Sequence, residues 1–318
     1  MSDSSLREPA ETAVRQCMGL EAGESCAVVT DDKRQAIGEA LYEVAAGVTE
    51  DAALVRYPPG EQHGAEPPAP VAAAMAGADV VLAPTTKSLS HTRARTGANE
   101  AGARVATLPG ITEEVFRTGL DADYQEIAAV CAEVHEAVAG ADELRVTSPQ
   151  GTDITVRPGD RQWREDTGVV HGAGEMSNLP AGEVFVSPET ADGRVVVDGT
   201  MMPHGRLEAG ETVAFTVEDG QVTSIEDEGL RDSVEAAAAE AGDAAYNFAE
   251  MGIGTNLAVT ELVGSVLLDE KAAGTVHFAI GDDHGIGGDV EAPIHQDGVL
   301  TEPTVHVDGE QLELPSPR

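Results

Sequence analysis

The chain has 318 residues, with 57 acidic side chains against 19 basic ones and a formal charge of -38. That length accommodates two domains. So negative a surface, with no concentrated basic patch, repels a nucleic-acid backbone and an anionic membrane and excludes both as partners. Only three cations are lysines, Lys33, Lys87 and Lys271. Self-repulsion of this size needs screening, so the composition predicts a halophile with a cytoplasm of high ionic strength. Cys17, Cys26 and Cys131 form an odd set without a CxxC pair, which suits a reducing compartment and offers no thiolate metal site. The opening MSDSSLREPA has neither a basic region nor an apolar core, and no apolar run is long enough to span a bilayer, so a cytoplasmic location is expected.

In chain order, the first half alternates short apolar runs with helical patterns. SCAVVT (25–30), AALVRY (52–57), DVVLAP (79–84) and ARVATLP (103–109) read as strands; DKRQAIGEALYEVAAG, PVAAAMAGA and TRARTGANEAG read as helices between them. This alternation predicts an α/β domain over 1–141 with a mostly parallel sheet. No GxGxxG follows the first strand, so a dinucleotide site has no support. The last helix of this half is ADYQEIAAVCAEVHEAVAGA (122–141), where Ile127, Val130, Val134 and Val138 fall at helical spacing.

From 142 the pattern changes to alternating runs broken by tight turns: ELRVTSP, TDITVRP, GEVFVSP, GRVVVDGT, ETVAFTVEDGQVTSI and TVHVDGEQLEL. One long helix is expected, DSVEAAAAEAGDAAYNFAE (232–250). The expectation is an α+β catalytic domain over 142–318 with a largely antiparallel sheet.

The residues that carry chemistry gather in this second half. His295 and Asp297 in an extended segment point to the same side and can reach one ion. His277 lies in the apolar run TVHFAIG, Glu183 enters the apolar run EVFV, and Glu250 is read at the C-terminus of the long helix, the unfavourable end of its dipole unless a cation is near. Together Glu183, Glu250, His277, His295 and Asp297 form a nitrogen and oxygen set suited to zinc, cobalt, manganese or non-haem iron. All five are enough ligands for two bridged ions. His277, His295 and Asp297 alone make the two-histidine, one-carboxylate face of a mononuclear iron centre.

NLPAGEVFVSP around Glu183, EMGIGTN at Glu250, DEKAAGTVHFAIG around His277 and HQDG at His295 and Asp297 resemble the metal-dependent aminopeptidase T family, the thermophilic leucyl aminopeptidase type. The resemblance covers 142–318 best. It implies that Glu183, Glu250, His277, His295 and Asp297 hold two divalent ions (Zn, Co or Mn), that water activated by them removes N-terminal residues from a peptide substrate, and that the protein is a homodimer. Glu250 is then a candidate proton relay. His284, in GDDHGIGG, stands where the family has a tyrosine near the metals, and is the second catalytic candidate. The same fold family includes iron-dependent dihydroxypyridine dioxygenases, whose ligands resemble the His277, His295 and Asp297 subset. A mononuclear Fe(II) ring-cleaving enzyme is therefore the alternative, ranked second because both glutamates are retained; a non-catalytic relative is a further one. In SLSHTRARTGANEAG, which also matches the peptidase family, Arg93 and Arg95 cluster with His91 as salt-bridging groups or as substrate-binding candidates for a carboxylate.

Overall fold

A computed structural model describes residues 6–318, and the chain divides into two compact units. The first comprises the chain up to Ala128 together with Asp166–Ala181. Its sheet runs in the order Ala52–Tyr57, Cys26–Asp31, Val80–Thr85, Arg104–Pro109, Met176–Asn178, and every pairing is parallel. Cys26–Asp31 and Val80–Thr85 are buried along their whole length, as unbroken apolar runs require. Val29, Val81, Ala83 and Val105 pack with Val71, Met75 and Leu89 in one core. The helices Arg93–Glu100 and Glu113–Leu120 begin on Thr92 and Thr112, whose hydroxyls accept from the amides of Arg95 and Val115.

The second unit comprises Ala129–Glu165 and Gly182–Arg318 and holds antiparallel sheets. One runs Gln221–Ile225, Val213–Glu218, Thr190–Val197, Asp153–Arg157, Leu144–Thr147, Thr304–Val307, Glu310–Gln311. The other contains the neighbouring strands His295–Leu300, Val276–Gly281, Phe248–Gly254 and Glu183–Val186. The architecture is thus an α/β unit with a parallel sheet followed by α+β structure with antiparallel sheets.

The long helix ends earlier than expected. It spans Glu228–Ala241, starts where the Asp227 carboxylate accepts from the Leu230 amide, and stops at Gly242, which takes φ +63°. A 3₁₀ turn over Gly242–Tyr246 follows, and Phe248–Gly254 is a fully buried strand. Glu250 is therefore in the middle of a strand, and no helix dipole acts on it. The alanine run masked the change: a strand buried on both faces shows no alternation that would separate it from a helix.

Candidate metal centre

Strand pairing alone puts the five candidate ligands on one face of the sheet. Gly254 pairs with Glu183, Gly252 with both Phe185 and His277, and Glu250 with Ala279, which in turn faces Asp297; Gly281 faces His295. Directly opposed residues project to the same side, as do residues two apart along a strand. Glu183, Glu250, His277, His295 and Asp297 consequently converge.

Two compact donor groups result, Glu183 with Glu250 and His277, and Glu250 with His295 and Asp297; in each, the ligand atoms lie within 4.8 Å of one another. Glu250 belongs to both. Its Oε1 is 3.5 Å from His277 Nε2 and its Oε2 is 3.3 Å from His295 Nε2. His277 Nε2 is 3.3 Å from Glu183 Oε2, and His295 Nε2 is 3.4 Å from Asp297 Oδ1. Donors each about 2.1 Å from a common ion at a tetrahedral angle stand about 3.4 Å apart. His277, Glu250, Glu183 and Asp297 are buried, whereas His295 stands at the rim with a third of its side chain exposed.

The surroundings prepare these groups for a cation. His295 Nδ1 lies 2.7 Å from the Asp282 carbonyl; with the proton on Nδ1 donated there, Nε2 presents its lone pair to the carboxylates. Gly252 makes room for His277, since a Cβ there would lie 2.1 Å from the imidazole Cε1 and 2.2 Å from Nε2. Without an ion the negative charge is felt by the imidazoles. Burial resists protonation of His277, but Glu250 and Glu183 outweigh it and raise its pKa to about 9. His295 is likewise held well above its ordinary value, against burial, by Asp297 and Glu250. Burial pushes Glu250 up, yet contacts from His277 and His295 prevail and hold its carboxyl below the usual range. Burial raises Glu183 to about 8, with the nearby ammonium of Lys271 opposing it. Glu183 Oε2 and His277 Nδ1 are buried without hydrogen-bond partners. The donor set, the excess of carboxylates and the unpartnered Glu183 Oε2 fit a divalent ion.

Three residues of this neighbourhood have no place in the sequence-derived ligand set. Gly252 is one. Lys271, 3% exposed, is another: its Nζ is 2.5 Å from Glu183 Oε1 and 2.6 Å from Oε1 of Glu270, the third. The available signal was that Lys271, one of three lysines in the chain, lies in the same segment as His277.

The other candidates lie apart from both donor groups. His284 is exposed at the start of a 3₁₀ turn, His284–Ile286, in a segment anchored by its neighbour Asp283. That carboxylate is buried and accepts from the Ser187 hydroxyl, the Asn247 amide and the Val290 backbone N–H. Arg93 and Arg95 are engaged within the first unit. Arg93 pairs with Glu66, while Arg95 donates to the Ser90 carbonyl at 2.6 Å and to Asn99 Oδ1 at 3.2 Å.

A family model described as NicX, 2,5-dihydroxypyridine 5,6-dioxygenase, matches residues 10–313. Among solved structures, a 2,5-dihydroxypyridine dioxygenase from Pseudomonas putida KT2440 superposes with a TM-score of 0.81 at 19% identity, covering 99% of this chain and 97% of the other. Wild-type AmpT from Thermus thermophilus superposes with a TM-score of 0.67 at 19% identity, covering 97% and 99%. At such identities the superpositions establish the fold alone. No curated protein matches the sequence. The match over 10–313 overturns the aminopeptidase T assignment. With it go the peptide substrate, the hydrolytic two-metal mechanism and the pair of Zn, Co or Mn ions. The two donor groups share Glu250. On sequence alone the peptidase reading ranks first because both Glu183 and Glu250 are retained.

Proposed function

The chain belongs to the NicX family of 2,5-dihydroxypyridine 5,6-dioxygenases, and on that premise we propose that it is a mononuclear-metal dioxygenase opening a dihydroxylated pyridine ring. The observation that carries this reading is the single face on which Glu250, His295 and Asp297 meet, with His277 on the other oxygen of Glu250. These residues would hold one ion, and two imidazoles with carboxylates suit Fe(II). When bound, ferrous iron supplies the one-electron chemistry that lets dioxygen react with a closed-shell aromatic ring.

The protein's share is positioning and charge. Glu250 spans the two imidazoles and fixes their separation. The Asp282 carbonyl orients His295. Burial of His277, Glu250 and Asp297 keeps water from competing for their lone pairs. In the overall reaction the ring bond between carbons 5 and 6 breaks and each carbon receives one oxygen atom, so no external reductant is consumed.

The test is oxygen uptake by protein reconstituted anaerobically with Fe(II), using 2,5-dihydroxypyridine. One ion per chain and one O₂ consumed per ring lost from the absorbance spectrum are expected. Protein that binds its iron yet consumes no oxygen with this compound or its positional isomers would rule the reading out.

A further inference from the structure

The same sheet face offers a second place for a cation. Glu183, Glu250 and His277 are as closely grouped as Glu250, His295 and Asp297, and a shared carboxylate is the usual bridge of a two-metal centre. Side-chain geometry at these five residues therefore leaves open how many ions enter.

Lys271 supplies what the five residues lack. Its ammonium is 2.5 Å from Glu183 Oε1 and 2.6 Å from Glu270 Oε1, and its side chain is as buried as the core around it. The segment that carries it is fixed: the Lys271 amide donates to the Leu268 carbonyl, and the Lys271 carbonyl accepts from the Asn256 amide at 2.8 Å. On the other side, the Thr255 amide donates to the Gly182 carbonyl, next to Glu183. Both members of the ion pair are thus tied to the end of the Glu250 strand. A buried ammonium is costly unless its charge is compensated, and in a chain with three lysines this one is placed against Glu183, a member of the second donor group.

We propose that Lys271 is a built-in cation that stands in for a second metal ion and limits the centre to one. Its ammonium holds Glu183 through Oε1, on the oxygen next to the one that faces His277, and this fixed positive charge repels a dication at the Glu183, Glu250 and His277 group. Glu270 completes the arrangement by sharing the ammonium. Lys271 is a positioning residue that determines metal number. The inference rests on the one-ion reading of the centre, but its test is independent of whether a pyridine ring is the substrate.

The experiment is titration of the metal-free protein with Mn(II), with bound ions counted by elemental analysis and their proximity read by electron paramagnetic resonance. Wild type and Lys271→Arg, which keeps the charge, are expected to bind one Mn(II) per chain with an uncoupled signal. Lys271→Met is expected to bind two, with the spectrum of a spin-coupled pair. Because that variant leaves two carboxylates without their cation, the double variant Lys271→Met/Glu270→Gln, which keeps the local charge balance, is expected to behave in the same way. Two ions in wild type, or a single uncoupled ion in whichever Lys271→Met protein is folded, would overturn the proposal. Wild type that takes one ion, variants that take two and an absence of oxygen uptake would retain it while removing the dioxygenase reading.

Discussion

At the scale of single residues, Glu250 and Gly252 have the most to lose. Glu250 is the only member common to both donor groups, so Glu250→Gln, which keeps volume and gives up charge, is expected to abolish retention of the ion while leaving the fold in place. Metal content after dialysis, set beside the far-ultraviolet circular dichroism, checks this; full ion content in the variant would remove Glu250 from the centre. Gly252→Ala tests the space rather than the charge. A methyl group within 2.2 Å of the imidazole forces His277 to turn or the strands to part, and overpacking of this kind costs about 1–3 kcal/mol. Metal affinity should fall by roughly 10- to 100-fold, the range for disturbed support of a ligand. Unchanged affinity would show that His277 does not contribute. His284 gives the opposite pattern, since it is exposed and belongs to neither donor group: His284→Ala should keep its ion, which the same metal analysis checks.

At the scale of elements, the strands of the first unit bind their neighbours through backbone ladders, and one ion pair ties the Arg104 strand to the chain before Cys26. Arg104 Nη1 and Nη2 each lie 2.8 Å from a Glu24 oxygen, and its Nε donates to the Met18 carbonyl. The hydrogen bonds from Arg104 hold the Glu24 carboxyl below its ordinary value. A carboxyl depressed on folding stabilises above its unfolded value, near 4.5, and the contribution disappears as pH falls through the folded value. Wild type should therefore exceed Glu24→Gln by about 1 kcal/mol at neutral pH, with the gap closing on acidification. Denaturant melts of both proteins from pH 7 to 3 measure this, and a gap that widened in acid would contradict it. The four longer parallel strands were legible because each is a short, mostly apolar run between turn residues. Met176–Asn178 was not, being too short to show a period. Phe248–Gly254 was concealed behind an alanine-rich helix, which displaced Glu250 into the wrong element. The five candidate ligands could be named from their types and flanking residues, but the bearing of Lys271 on them could not. Its partner Glu183 is 88 positions away, and only strand pairing reveals that they meet.

At the scale of the molecule, two electrostatic regimes coexist. With 57 acids and 19 basic residues, most surface carboxylates can have no cationic partner. Several of the available arginines are already used in exposed pairs: Arg145 with Asp153, Arg157 with Glu143 and Asp192, and Arg194 with Glu226. Their repulsion acts through water over about 10 Å at 0.1 M salt and only about 3 Å at 1 M. The Glu183, Lys271 and Glu270 contacts lie within the protein, where mobile ions do not reach and screening is weak. Raising KCl from 0.1 to above 1 M should therefore lift the thermal midpoint steeply, while the number of Mn(II) ions bound per folded chain stays the same. NaCl at equal concentration should raise the midpoint nearly as much, because screening depends on ionic strength rather than on which monovalent cation supplies it. Calorimetry and metal analysis on the same samples separate the two regimes. A flat midpoint would mean that the surface acids are neutralised locally, and a metal count that followed the salt would mean that the buried ion pair is open to solvent.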